Sequence, residues 1–165
     1  MKKIFLAIIA FLPLSLMAQE LKLAYVNANE VIMQMSETQD MQKQITDLQT
    51  MYEGEYMKLL EEGQKKMKEF EELQKTNADQ AILQSRAEEI RNLEQRIEMF
   101  RTNSQEQLQK KQEELLKPIQ EKVSRTINEI GMEKGFTYIF PVEVLLFKSS
   151  SAVDLTAELK KRLVK

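Results

Sequence analysis

The stretch QKTNADQ, residues 74–80, decides what kind of molecule this chain makes. On both sides of it the sequence reads as long helix. Thr76, Asn77 and Asp79 compete with the helical backbone through short polar side chains, so they favour caps and turns over helix interiors. Asn77 followed by Gln80 has the form of a helix N-terminal cap. These residues predict a tight helix–helix turn near 76–79. No Gly or Pro marks it. The alternative is one uninterrupted rod, ~140 Å long at 1.5 Å per residue, in a parallel coiled coil.

Upstream of the turn, apolar or small residues recur at Met41, Ile45, Leu48, Tyr52, Tyr56, Leu59, Gly63, Met67 and Phe70. The mean step is about 3.6 residues, the period of one stripe on a nearly straight helix. Downstream the stripe runs through Ile90, Leu93, Ile97, Phe100, Ser104, Leu108 and Leu115. One narrow stripe on so long a helix cannot bury itself and needs a partner helix. A turn at 76–79 lets the two stripes pack as an antiparallel hairpin over 37–117. Each arm is then ~60 Å long.

Beyond the hairpin, ELLKPIQEKV (114–123) keeps helical spacing in Leu115, Leu116, Ile119 and Val123 but contains Pro118. A proline there offers no N–H to the carbonyl of Glu114 and crowds it, which costs about 3 kcal/mol in a helix interior. Gly131 and Gly135 suit helix C-termini, where a left-handed residue is wanted. FTYIF (136–140) and VLLF (144–147) read as short strands, Ser149 to Ser151 as a loop. Asp154 can cap a last helix whose Leu155, Leu159 and Leu163 share a face. At the other end, LKLAYVN (21–27), with the alternation Leu21, Leu23 and Tyr25, reads as a short strand. Asn27 with Glu30 forms a capping box for a short helix over 28–35, and Ser36 with Gln39 starts the next near Glu37. The strands sit at the two chain ends, which a hairpin brings together. The expected fold is mainly α with a small β body, made of residues 19–36 and 118–165, from which the arm projects. Such a sheet is too small to stand alone, and oligomerisation would supply the missing core.

The opening MKKIFLAIIAFLPLSLMAQE has a basic start at Lys2 and Lys3, an apolar run over 4–17, and a small residue at Ala18. It reads as a signal peptide over 1–18. The apolar run is short of the ~20 residues a spanning helix needs, and Pro13 interrupts it. No Cys follows Ala18 for lipid attachment. The expected product is an exported, soluble protein without stable membrane insertion. Without Lys2 and Lys3, the 24 basic residues become 22 against 26 acidic ones, a net charge of −4. That argues against nucleic acid as a partner.

The chain has no His and no Cys, so the usual general base, thiolate nucleophile and zinc ligands are missing. Gly54, Gly63, Gly131 and Gly135 make no phosphate loop. Adjacent acids such as Glu61–Glu62 and Glu113–Glu114 diverge on a helix. These features predict no enzyme and no cofactor. Methionine is the suggestive residue. At 100° per residue, Met41 and Met67 fall on the arm stripe, whereas Met51, Met57 and Met99 lie well off it. A flexible, polarisable thioether suits a surface that accepts many apolar partners, which makes these three candidate contact residues for client proteins; the other reading is ordinary surface or oligomer-contact methionine.

KLAYVNANEVI (22–32), LLKPIQEKVSRTINEIGMEKGFTYIF (115–140) and VDLTAELKKRL (153–163) resemble, in this order, the Skp or OmpH-like family of periplasmic chaperones. The resemblance covers essentially the whole mature chain. It implies a homotrimer whose short strands form a common body, with three hairpins around a cavity that shields unfolded outer-membrane β-barrel proteins without nucleotide. It places body and trimer contacts at Tyr25, Val26, Phe136, Tyr138 and Ile139, and the family's arm-root proline at Pro118, where the expectation is either a hinge or a fixed redirection of the helix to fit the body. One departure concerns charge. Residues 65–90 hold five basic and six acidic residues, so the tip is near neutral and capture should be apolar and insensitive to salt. The competing expectation is an exported coiled-coil adaptor that joins two envelope proteins.

Overall fold

The computed structural model describes residues 21–164; the segment read as a signal peptide lies outside them. Strand β1 (Leu23–Val26) leads into helix α1 (Ala28–Gln34). Two long helices follow, α2 (Ser36–Lys75) and α3 (Gln80–Lys134). Strand β2 (Tyr138–Pro141), a 3-10 turn (Val142–Val144), strand β3 (Val153–Asp154) and helix α4 (Thr156–Leu163) complete the chain. The fold is a long helical hairpin on a small body, as the periodicity predicts.

The hairpin is antiparallel. Tyr52 meets Phe100 edge-on at 6.0 Å between ring centroids. Nearer the tip, Gly63 faces Leu93 and Ile97. Lys66 bonds Glu89 at 3.0 Å, and Glu37 pairs with Lys122 at the root. Only Leu59 and Leu93 of the seam are fully buried. A two-helix seam has one partner per helix, so most stripe residues stay half covered. Met67, placed on the stripe by spacing, is still 41% exposed.

The turn at the tip corrects one detail of the sequence reading. Asn77 does not cap the second helix. It closes the first in the left-handed region, at φ 50°. Its N–H reaches the carbonyl of Gln74 at 3.2 Å, and that of Ala78 reaches Leu73 at 3.1 Å. Asn tolerates this conformation better than other non-glycine residues, which is how the chain turns without glycine. Asp79 supplies the cap instead, accepting from the Ala81 N–H at 2.8 Å.

The same closure recurs at the end of α3, with Gly135 at φ 67°. The N–H of Phe136 bonds the carbonyl of Gly131 at 3.0 Å, and that of Gly135 the carbonyl of Met132. Gly131 is therefore not a left-handed terminus; it is helical, one turn inside. A Cβ there would lie 3.3 Å from Ile139 Cδ1, so close packing of β2 against α3 is what its missing side chain permits.

The body is a parallel sheet in the order β2-β1-β3. Ala24 and Val26 of β1 point to a core with Val31, Met35, Ile119, Val123, Ile130 and the α4 leucines. The capping box of α1 forms by half. Asn27 Oδ1 accepts from the Glu30 N–H at 3.1 Å, while the Asn27 N–H goes to Thr156 Oγ1 at 2.9 Å and ties α1 to α4. Ser36 makes no cap. Met35 takes the capping position, and Ser36 Oγ bonds the Glu37 side chain. Asp154 does not take the capping position of α4, which falls to Leu155; from β3 its Oδ1 accepts from the Thr156 N–H at 2.8 Å.

VLLF is not a strand. Residues 142–144 form the 3-10 turn, and among the described residues 145–147 have no strand partner. A strand needs an edge as well as β-forming residues. The free edge of β1 is taken by Val153–Asp154, which sequence marked only as loop and cap.

Candidate functional surfaces: the arms and the outer face of the sheet

Among the described residues, no group of three His, Cys, Asp or Glu side chains could hold a metal. The candidate features are surfaces. Between the residues that root the hairpin, 37 and 117, five large apolar side chains are exposed: Met51, Met57, Met67, Ile82 and Met99. The three methionines singled out by helical angle, Met51, Met57 and Met99, are 57%, 62% and 64% exposed. Met33 on α1 and Met132 near the end of α3 are exposed too, which the arm-centred reading did not flag. Midway along the arm, Tyr52, Tyr56, Phe100, Ser104 and Leu108 line a cleft of about 210 Å³. It opens where small Ser104 interrupts the apolar stripe, and the Ser104 hydroxyl is satisfied by the Phe100 carbonyl at 2.6 Å.

At the arm root, α3 runs through Pro118 as one helix. The proline borders a cleft of about 320 Å³ between the first turns of α2 and the stretch of α3 around Pro118, floored by Met41, Leu115 and Ile119. The Glu37–Lys122 pair stands at its rim. Its hydrogen bond from Lys122 holds the Glu37 carboxyl below the usual range. Nearer the tip, Lys66 and then Arg86 do the same to Glu89. Below Pro118, the buried residues of α3 are Ile119, Val123, Thr126 and Ile130.

The second surface is the outer face of the sheet. Residues alternate along a strand, so Leu23, Tyr25, Tyr138 and Phe140 lie opposite the core. Leu23, Tyr138 and Phe140 are 44%, 56% and 38% exposed. In the segment after β2, Val144, Leu146 and Phe147 are 61%, 105% and 83% exposed. Tyr25 is covered by Lys148, whose Nζ lies 4.4 Å from the ring centroid and 3.0 Å from the hydroxyl. That hydrogen bond raises the lysine pKa. Burial alone would raise the Asp154 carboxyl, but bonds from Thr156 and the Lys148 charge leave it lowered. Of the five positions drawn from the resemblance, Val26 is buried in the chain's own core. Ile139 and Phe136 are partly buried and pack against it. Only Tyr138 is exposed. Leu23, Phe140, Leu146 and Phe147 escaped the sequence reading. The signal for the last two was VLLF itself, an apolar run without polar alternation.

A parallel sheet is normally covered on both faces. Here the outer face is covered only in part, by Lys148 over Tyr25, and its exposed apolar residues Leu23, Tyr138 and Phe140 are of the kind that marks a contact surface. A hairpin of long helices on such a body defines the class: an arm-and-body binding protein built from a coiled-coil hairpin. Residues 22–163 match the family described as Outer membrane protein (OmpH-like), and the chain belongs to that family. It is a family of periplasmic chaperones of outer-membrane proteins, not of enzymes. No curated protein matches the chain. Among the described residues, no helix is long and apolar enough to cross a membrane.

Proposed function

We propose that the mature protein is a nucleotide-independent holdase. It binds unfolded outer-membrane β-barrel proteins in a cavity between the arms of a homotrimer and prevents their aggregation. Residues 1–18 direct export to the periplasm. Residues 37–117 form the arm, and 19–36 with 118–165 form the body. The observation that carries this reading is the exposed methionine set on the arms of a chain that belongs to a chaperone family. Trimer formation is supported by the partly bare outer face of the sheet, where Leu23, Tyr138 and Phe140 would meet another copy. Pro118 serves as the hinge: α3 lacks a hydrogen bond there, beside an open cleft, just above the residues buried in the body.

The test dilutes a urea-unfolded outer-membrane barrel into the mature protein and records light scattering and complex mass. Suppressed scattering with three chains per client supports the holdase. Unchanged scattering with a dimeric rod would replace it by an envelope adaptor. For the hinge, Pro118→Ala should narrow the range of arm openings seen by solution scattering with and without client. An unchanged range removes the hinge.

A further inference from the structure

The exposed apolar surface of the molecule is divided by chemistry. On the arms, four of the five large apolar side chains exposed among the described residues are methionine, with Ile82 the exception. On the outer face of the sheet and the segment after it, they are Leu23, Tyr138, Phe140, Val144, Leu146 and Phe147. The thioether is the one apolar side chain here that a mild two-electron oxidant makes polar. The chain has no Cys to react first. Met35 is fully buried and Met41 partly so, so exposure separates the arm thioethers from the core ones.

We propose that Met51, Met57, Met67 and Met99 form a reversible oxidation site that switches off capture of apolar chains while the body stays assembled. This rests on the holdase reading and adds its regulation. Hydrogen peroxide supplies the oxidant. The sulfur lone pair attacks one peroxide oxygen, the O–O bond breaks, a sulfur–oxygen bond forms, and the other oxygen leaves as water. Sulfur loses the two electrons that peroxide gains. The sulfoxide is a strong acceptor on a formerly apolar patch. Covering it with an apolar client leaves that acceptor without a partner, which opposes binding. Sulfoxide reductases restore the thioether. Met33 and Met132 also oxidise, but they lie on α1 and α3, which cover the core face of the sheet rather than its outer face.

The experiment treats the mature protein with hydrogen peroxide and maps added oxygen by peptide mass. It then measures the ratio of holding capacity after treatment to capacity before, against a urea-unfolded outer-membrane barrel. The four arm methionines should gain oxygen well before Met35, and the ratio should fall several-fold with helix content and assembly mass unchanged. The variant carrying Leu at all four positions, referred to its own untreated capacity, should show a ratio near one. The inference is overturned by an unchanged ratio in the wild-type protein, by an equal fall in the Leu variant, or by a fall accompanied by loss of helix or of assembly. If the untreated wild-type protein does not hold the barrel at all, the holdase reading itself fails and this inference falls with it.

Discussion

The arms and the body solve the problem of a thin core in different ways. The arm seam buries Leu59 and Leu93 and leaves the rest of its stripe half covered, with ion pairs across it at Glu37–Lys122 near the root and Lys66–Glu89 toward the tip. The body gathers four elements around Met35, Ile130, Leu159 and Val31, all essentially solvent-free. Their outer surfaces differ in parallel. Flexible thioethers on the arms suit partners of many shapes, whereas the branched and aromatic residues on the sheet suit one fixed partner. Packing order thus follows the surface each region presents: loose where contacts vary, tight where they do not.

The largest test of this contrast is truncation on either side. Leu159→Ala opens a cavity that rigid neighbours cannot fill, and should cost toward the upper end of about 2–5 kcal/mol. Leu59→Ala removes the same atoms from an open seam that can collapse, and should cost toward the lower end of about 2–5 kcal/mol. Urea denaturation read by circular dichroism gives both numbers. Equal losses would break the distinction.

The two helix closures compare the regions at single residues. Gly135 sits at φ 67°, so Gly135→Ala should cost about 1–2 kcal/mol by left-handed strain alone. At the tip, Asn77 already tolerates φ 50°, so Asn77→Gly should change thermal stability far less. A tip variant that shifts melting as much as the body variant would show that the tip matters to global stability. A smaller effect, of opposite sign, is expected at Gly54. Nothing lies within 4 Å of a Cβ there, so Gly54→Ala should stabilise the arm by about 0.5–1 kcal/mol through lower backbone entropy in the unfolded chain. A loss of stability at Gly54 would mean that the added Cβ meets a neighbour in the assembled protein.

What was legible in the sequence follows the same division. The hairpin is written in local terms: the step of the stripe, and a turn made by Thr76, Asn77 and Asp79. Even there the roles of Asn77 and Asp79 were shifted, because an Asn that closes one helix and an Asn that opens the next look alike in sequence. The body depends on pairing, which is non-local. Leu21, Leu23 and Tyr25 correctly marked a strand, yet this alternation marks the face away from the core, and Ala24 and Val26 are the residues buried in it. VLLF has the composition of a strand, but β1 pairs with Val153–Asp154 instead. The spacing of Gly131 suggested a terminus; its reason is contact with Ile139, a residue eight positions later on another element. Methionine exposure off the stripe was readable, since it needs only helical angle and one partner helix. The exposure of Leu146 and Phe147 was not, since an apolar run such as VLLF does not say whether it will pair, and among the described residues it does not.

The smallest expected effect is electrostatic, and it sets the two regions against each other in acid. Arg162 bonds both Glu133 and Glu158 and holds α4 on the end of α3, with bonds of 2.6 Å to Glu133 and 2.8 Å to Glu158. Both carboxyls are lowered by it below the ordinary 4.5. In the arm, Lys122 lowers Glu37, and Lys66 with Arg86 lowers Glu89. A lowered carboxylate contributes stability that is fully present above its unfolded value and is lost as pH falls through the folded one. All four contributions are therefore intact at neutral pH and fade below about pH 4.5. These groups are exposed, so each effect is small and screened by salt. The consequence differs by region. Helix α4 keeps Leu155, Leu159 and Leu163 in the core when its ion pairs go, whereas the ends of the arm keep only a half-buried seam. Amide-exchange protection measured at about pH 3.5 and at neutral pH should therefore fall more in the first turn of α2 and around Lys66 and Glu89 than in α4. A larger loss in α4 would mean that the ion pairs, not the leucines, hold that helix in place.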